Sequence, residues 1–274
     1  AVIGSGVLVV GWLVYDMMCR TKLLELPVGF GVVSFVLVVG VAIGLTQLFT
    51  ARGAYIHVGA LLGTFMAGNV FFVIIPAQRE LVNAMADGRE PEIRLGKYAA
   101  LRSLHNNYMT LPVLFIMISS HFPFTYGYDQ GWAILAGLIL VGAAIRHWFN
   151  LRGQGHRNVW ILPAATLAML GLAFVTFPES NLPEIDPTTV TFEDGVLIVT
   201  TRCTPCHSSA PNQAGFASPP KGITFDSSQD MTDQAALIRA LSVNTETMPL
   251  GNVTGMTDDE RAVLEAWLDK FTDG

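Results

Sequence analysis

Cys203-Thr204-Pro205-Cys206-His207 is the stretch of this sequence whose residue types and spacing prescribe a chemistry. C-x-x-C-H is what covalent attachment of a c-type haem requires: two thiols so spaced add across the two vinyl groups of one porphyrin, and the adjacent imidazole is placed to ligate the iron. Two plainer readings compete, a redox C-x-x-C and half of a zinc site. Only one further cysteine exists, Cys19, so no second pair completes a zinc site, and the βαβ pattern of a thioredoxin-like motif is missing. A haem that carries electrons needs a sixth ligand, and a thioether sulfur there raises the potential. Of the three methionines downstream, Met231 is too close to Cys206 to cross to the other haem face. Met256 directly precedes Thr257-Asp258-Asp259-Glu260, a capping box that opens a helix. Met248, in a loop between two helical patterns, is the expected sixth ligand, with His207 the fifth. Pro219-Pro220 follows where a loop can offer a backbone carbonyl to the second nitrogen of His207 and fix its tautomer; the sequence does not say which proline does so, and Pro220 is counted with the haem-binding set.

The elements that must position this motif fall into two parts of opposite character. Of 274 residues, 51% are hydrophobic and 14% charged, the composition of a membrane protein rather than of an ordinary soluble domain. Residues 1–178 carry 11 Lys and Arg against 7 Asp and Glu, net +4, whereas residues 179–274 carry 5 against 15, net −10. The acidic balance argues against nucleic acid as a partner, because phosphate binding needs the opposite sign. Cys19 stands alone as an unpaired thiol at a helix end, and no disulfide framework is implied.

Apolar segments predict six helices, near 1–17, 27–50, 54–76, 104–121, 130–150 and 159–177, with lengths close to what a bilayer demands. The first, from Ala1 to Tyr15, is short for a span of about 20 residues and reads as a truncated helix. A cleaved secretory signal competes with that reading, but no basic region precedes the apolar run. Between the third and fourth helices the polar stretch from Ala77 to Arg102 contains the turn Asp87-Gly88-Arg89-Glu90-Pro91, flanked by expected short surface helices over 78–86 and 93–101.

Lys and Arg stay preferentially on the cytoplasmic side. One set of loops holds Arg20, Lys22, Arg79, Arg89, Arg94, Lys97, Arg102, Arg146, Arg152 and Arg157, and the other only Arg52. That delivers the end of the sixth helix, and the tail after it, to the periplasmic side of a bacterial inner membrane, where c-type haem is attached. The expected fold is all-α: a polytopic helical membrane domain over 1–178, a proline-bearing linker over 179–190, and a class I-like cytochrome c domain over 191–274. Within the tail, helices are expected over Val196 to Thr201, Ala235 to Leu241 and Asp258 to Phe271. The last has Val263, Leu264, Trp267, Leu268 and Phe271 on one face.

Ionisable and amide side chains inside a membrane are expensive, which makes each a candidate for function. Here they are His57 and Asn69 on the third helix, His105, Asn106, Asn107, Tyr108 and His121 on the fourth, and Arg146, His147 and Asn150 at the inner end of the fifth. A pair of b-type haems held by these histidines is one reading. Against it, His105 and His121 stand roughly 160° apart around a helix and cannot face one bundle axis together. The other readings are a substrate pocket and plain interhelical hydrogen bonding. The densest run, Arg102-Ser103-Leu104-His105-Asn106-Asn107-Tyr108, has what a planar, hydrogen-bonding, anionic heterocycle asks for. An arginine gives charge, amides give donor and acceptor edges, and a histidine transfers protons. The bland alternative is a helix start anchored at the membrane interface.

With those residues in view, the chain is similar to the membrane-bound cytochrome c urate oxidase (urate hydroxylase) family of bacteria, along nearly its whole length. In the membrane part the likeness rests on Gly11-Trp12-Leu13-Val14-Tyr15-Asp16, Ala54-Tyr55-Ile56-His57-Val58-Gly59, Gly68-Asn69-Val70-Phe71, Ile75-Pro76-Ala77-Gln78, the run from Arg102 to Tyr108, and Arg146-His147-Trp148-Phe149-Asn150. In the tail it rests on the haem motif, Pro219-Pro220-Lys221-Gly222 and Met248-Pro249-Leu250-Gly251-Asn252. The resemblance implies oxidation of urate to 5-hydroxyisourate by the membrane domain. Electrons then leave through the fused haem c to a respiratory-chain acceptor such as a soluble cytochrome c or a terminal oxidase, and no peroxide is produced. It also implies further membrane helices, histidine-bearing ones among them, ahead of Ala1. The alternative function is a membrane-anchored cytochrome c acting only as an electron carrier. An anchor needs one helix, whereas six with buried polar groups are expected here.

Overall fold

A computed structural model of the chain describes residues 2–128, 130–156, 158–177 and 182–272. Every regular element among the described residues is helical. They divide into two compact units, Ala1–Val175 and Thr176–Gly274.

The first unit is built on six long helices: α1 (Val2–Met18), α2 (Pro27–Thr46), α3 (Ala51–Ala86), α4 (Ile93–Ile118), α5 (Gly131–Gly153) and α6 (Ile161–Val175). By length and composition α2, α3 and α5 can cross a membrane, while α1 and α6 are apolar but shorter. Two expected boundaries move. The third helix does not end at Pro76 but runs on to Ala86 through a π-turn at Val70–Ile74. A proline lacks an N–H and its ring crowds the carbonyl four residues back, and a widened turn just ahead of it absorbs both defects without ending the helix. The fourth helix begins at Ile93 rather than 104, so the two expected surface helices are extensions of α3 and α4.

The six helices alternate in direction, and glycines set how closely they approach. Gly4 lies against His57, Gly11 against Leu61 and Trp12 against Gly68, so α1 and α3 run the same way with α2 returning between them in sequence. A methyl group at Gly68 would sit 2.6 Å from the Trp12 ring, so the close seam needs glycine there. Gly59 meets Ile116 and Gly142 meets Pro112, which makes α4 antiparallel to both α3 and α5. Consequently Tyr15, Asn69, Arg102 and Arg146 collect at one end of the bundle, and His57 lies toward the other. Phe71, Phe72, Leu167 and Phe174 are exposed while Asn69 and Arg102 are fully buried, an inversion of a water-soluble protein that suits a lipid surround.

The second unit contains α7 (Phe192–Arg202), α8 (Ser228–Asp233), α9 (Ala235–Ile238), which a wide turn over Arg239–Val243 continues, and α10 (Asp258–Phe271). Capping boxes open three of them, Thr191 with Asp194, Ser227 with Asp230, and the expected Thr257 with Glu260. α7 crosses α10 at Gly195, where a methyl group would lie 2.2 Å from the Trp267 ring. That ring is wholly buried, and its Nε1 donates to the Phe192 carbonyl at 2.9 Å. Met231 and Met256 lie in the same core, as do Leu264 and Leu268, with Val263 and Phe271 packed against it. Of the expected 179–190 linker, residues 179–181 lie outside the described residues. From Leu182 onward the chain is packed rather than free: Leu182 and Ile185 touch the core, and Lys270 Nζ donates to the carbonyls of Pro187, Thr188 and Val190.

Candidate functional site

α4 carries most of the polar candidates, and the 100° turn per residue sends them to different neighbours. Arg102 and Asn106 face α3, where they meet Asn69 and the Met66 carbonyl, while His105 meets Tyr15 of α1 and Phe30 of α2. Asn107 and Tyr108 face α5, where they meet Arg146 and His147. The run from Arg102 to Tyr108 therefore does not close on one ligand, as its contiguity in sequence suggests.

On the inner face a fully buried guanidinium dictates the order of a hydrogen-bond network. Arg102 donates from Nη1 to Asn69 Oδ1 at 2.8 Å, and from Nη2 to Asp16 Oδ1 and the Tyr98 hydroxyl, each at 2.5 Å. A guanidinium only donates, so Asn69 must turn its oxygen toward it. The Asn69 Nδ2 then donates to the Tyr15 hydroxyl at 2.9 Å and to Asn106 Oδ1 at 2.7 Å, and Asn106 Nδ2 donates to the Met66 carbonyl at 3.0 Å. Tyr15 OH lies 2.8 Å from His105 Nδ1. Having accepted from Asn69, the hydroxyl directs its own proton at Nδ1, which leaves the hydrogen of a neutral imidazole on Nε2. Tyr15 stacks on Phe65 at 4.6 Å and His105 on Phe30 at 4.7 Å, fixing both rings.

Arg102 is thus not the free charge that the sequence suggested for an anionic ligand; Asp16 answers it. Asp16, Tyr15 and Tyr98 are the members that sequence reading leaves without a role. Their signal is present in the chain, an acid directly after a tyrosine at the end of an apolar helix, but nothing local names the partner.

The outer face of α4 is less saturated. Tyr108 OH lies 2.7 Å from His147 Nδ1, and Arg146 Nε donates to Asn107 Oδ1 at 3.1 Å and to its carbonyl at 3.2 Å. Among the described residues the Nη groups of Arg146 and the Nδ2 of Asn107 make no hydrogen bond, and Asn150 Nδ2, one turn beyond Arg146, is buried without a partner. His105 and Tyr108, three residues apart, are neighbours on the helix surface, so the buried network ends beside the Tyr108 and His147 pair. His57 does not join them. Its Nδ1 lies 2.8 Å from the Gly53 carbonyl and its ring stacks on Phe49 near the opposite end of the bundle.

In the second unit, the cysteine motif forms the turn that follows directly on α7: the N–H groups of Cys206 and His207 both donate to the Cys203 carbonyl, at 3.1 and 2.9 Å. Both thiols are free. Burial pushes the Cys203 thiol up to about 12, with the adjacent Cys206 adding to the rise and Arg261 opposing it; burial raises Cys206 as well. A redox C-x-x-C needs the reverse, a thiol lowered toward neutrality. His207 Nδ1 lies 3.0 Å from a backbone carbonyl, as expected, but the carbonyl is that of Ile223 and not of Pro220. Pro220 acts one step back: Lys221 and Gly222 both turn through positive φ, and the Ile223 N–H donates to the Pro220 carbonyl at 3.2 Å. With Nδ1 so engaged, Nε2 holds the lone pair for a metal. Met248 is half-buried, its N–H donating to the Leu241 carbonyl at 2.8 Å. Among the described residues no three His, Cys, Asp or Glu side chains gather to hold a metal ion, which goes against the zinc reading. Two free thiols, an oriented imidazole and a methionine whose backbone is held are a residue set that fits a c-type haem.

The motif is tied to α10 by a charge pair with a pH signature. Arg202, which ends α7, donates to the Glu260 carboxylate from Nε and Nη2 at 2.8–3.1 Å, and the Thr257 N–H donates to it at 2.9 Å. Burial works against that carboxylate, but the Arg202 and Thr257 bonds outweigh it and hold its pKa below the usual range. A lowered folded-state pKa stabilises the unit above the unfolded value and loses that contribution as pH falls through the folded one. Thermal midpoints measured from about pH 6 down through about pH 2, across and below the ordinary carboxylate value, should therefore fall less steeply for Glu260→Gln than for the unsubstituted chain; parallel curves over that range would refute the linkage.

Comparison with known proteins bears on the first unit. No curated protein and no solved structure matches the chain. Residues 1–177 match the family described as urate oxidase N-terminal, a stretch that takes in α1 to α6 with both faces of α4. Since that match covers well over half of the sequence, the chain belongs to the urate oxidase N-terminal family.

Proposed function

We propose that this chain oxidises urate to 5-hydroxyisourate in its helical unit and passes the electrons, through a haem c carried on its own tail, to a respiratory-chain acceptor. The observation that carries the reading is family membership over the very helices that hold the polar cluster. The reaction adds one water to urate and releases two protons and two electrons, so the site must hold an anionic purine and accept protons. The outer face of α4 suits both tasks. Among the described residues Arg146 keeps its Nη groups unengaged for the anion and Asn107 its amide N–H for a purine carbonyl, and the Tyr108 and His147 pair is placed to take a proton. His105 adds an Nε2–H donor whose orientation the Arg102, Asn69 and Tyr15 chain sets. Bound through Cys203 and Cys206 and ligated by His207 and Met248, a haem supplies a one-electron acceptor outside the bilayer. The length and apolar composition of α2, α3 and α5 support residence in a membrane; the distribution of Lys and Arg in the sequence supports an orientation with the basic end inside and the tail on the periplasmic side.

Urate added without oxygen to membranes holding the protein is expected to reduce the c-haem and yield no hydrogen peroxide. Cys203→Ala with Cys206→Ala should abolish both the porphyrin adduct, seen by mass spectrometry, and urate-dependent electron transfer. A haem that is attached yet spectrally unchanged by urate would overturn the proposal.

A further inference from the structure

Arg261 carries a charge into the buried core of its unit. It sits on the buried side of α10 with 2% of its surface exposed, and among the described residues it makes no ion pair. Its neighbours along the helix show the contrast: Glu260 is taken by Arg202, and Asp269 by Arg239. Arg261 Nη1 instead donates to two backbone carbonyls, those of Ser242 and, at 3.0 Å, Met248. A buried guanidinium satisfied only by carbonyls is costly to retain, which calls for a reason beyond stapling a loop. The place of the two carbonyls supplies it. They bracket the segment 242–248, whose far end is already fixed by the Met248 N–H on the Leu241 carbonyl, so the Met248 backbone is gripped on both its polar groups.

We propose that Arg261 is a positioning residue for the haem: it holds the Met248 backbone where the thioether can reach the iron, and through that ligation it sets the reduction potential. A thioether ligand raises the potential of such a haem, and a group that orients a ligand tunes the metal through it, which is the lever Arg261 has on Met248. This rests on the haem reading above, and the test separates the two.

The whole membrane-bound protein is compared with Arg261→Met, Arg261→Lys and the control Arg239→Met, which breaks only a surface pair. Mass spectrometry reports the porphyrin, the far-red absorption of the oxidised haem reports the methionine ligand, and a redox titration reports the midpoint potential. Arg261→Met is expected to keep the porphyrin but weaken the methionine band and titrate at lower potential. Arg261→Lys, which keeps the charge with a less extended donor, should fall between, and Arg239→Met should move neither readout. If Arg261→Met does not accumulate, Arg261→Lys carries the test against the same control. An unmoved band and potential with porphyrin in place would overturn the role of Arg261 alone. Absence of porphyrin from the unsubstituted protein would overturn the haem reading itself.

Discussion

Replacing Arg102 by Met is expected to destabilise the helical unit by about 3 kcal/mol, the lower end of the range for removing one partner of a buried ion pair. The physical reason is what stays behind. Asp16 Oδ1 loses its charged donor, Asn69 Oδ1 loses the bond that orients the amide, and the Tyr98 hydroxyl loses its donor, all where water does not reach easily. The loss stops short of the upper end because Asp16 is not abandoned: Arg20, mostly exposed, still donates to its Oδ2 at 2.7 Å. Because Asn69 would be free to flip, the effect should spread to Tyr15 and His105, which makes the damage larger than one ion pair and not additive with Tyr15→Phe. Combining Asp16→Leu with Arg102→Met should recover a good part of the loss, since it removes the orphaned carboxylate as well. Thermal unfolding of the purified chain in detergent measures all four variants. An Arg102→Met protein within about 0.5 kcal/mol of the parent, the range of an ordinary surface substitution, would mean that the network does not hold α1, α3 and α4 together.

Which of these features can be read from the chain follows from how local each one is. The C-x-x-C-H motif and the box from Thr257 to Glu260 span a few residues, so their geometry is set by neighbours in sequence. The apolar helices are also legible, because hydropathy sums over whole turns, but only three of the six long helices are both long and apolar enough to cross a membrane, and α4 is too polar along its first half to count as one. Pro76 misleads, since a proline usually marks a boundary and only the π-turn before it lets α3 continue. The Asp16 and Arg102 pair is invisible for a different reason: its partners are 86 residues apart, and each alone looks like an interfacial charge. The carbonyl on His207 comes from Ile223 rather than Pro220 because main-chain direction, not residue type, decides which oxygen points inward. Arg261 is hidden most thoroughly. It follows three acids at the start of an amphipathic helix and has the sequence signature of a solvated residue, yet it is buried.

His147→Ala is expected to slow urate-dependent haem reduction by about 10²–10⁴-fold, the usual loss when a positioned proton acceptor is removed, with little effect on the tail's own spectrum. The imidazole is the exposed member of the cluster, and in the tautomer whose Nδ1–H donates to the Tyr108 hydroxyl, Nε2 keeps the lone pair that takes a proton from a ligand arriving from the open side. Tyr108→Phe keeps the ring and removes only the hydroxyl that orients the imidazole. Its cost should be smaller, about 10–100-fold, as for other residues that orient a functional histidine. Arg146→Ala tests a different step. Its Nε stays bound to Asn107 in the parent, so only the Nη groups are available for an anion, and their loss should raise KM more than it lowers kcat. His57→Ala provides the contrast, because that ring packs against Phe49 and Gly4 away from the cluster, and its loss should leave the rate within a few-fold of the parent. Stopped-flow reduction of the haem by urate separates these outcomes. If His57→Ala proved as damaging as His147→Ala, or if His147→Ala kept full speed, the reactive face would have to be moved from the α4 and α5 seam to another part of the bundle.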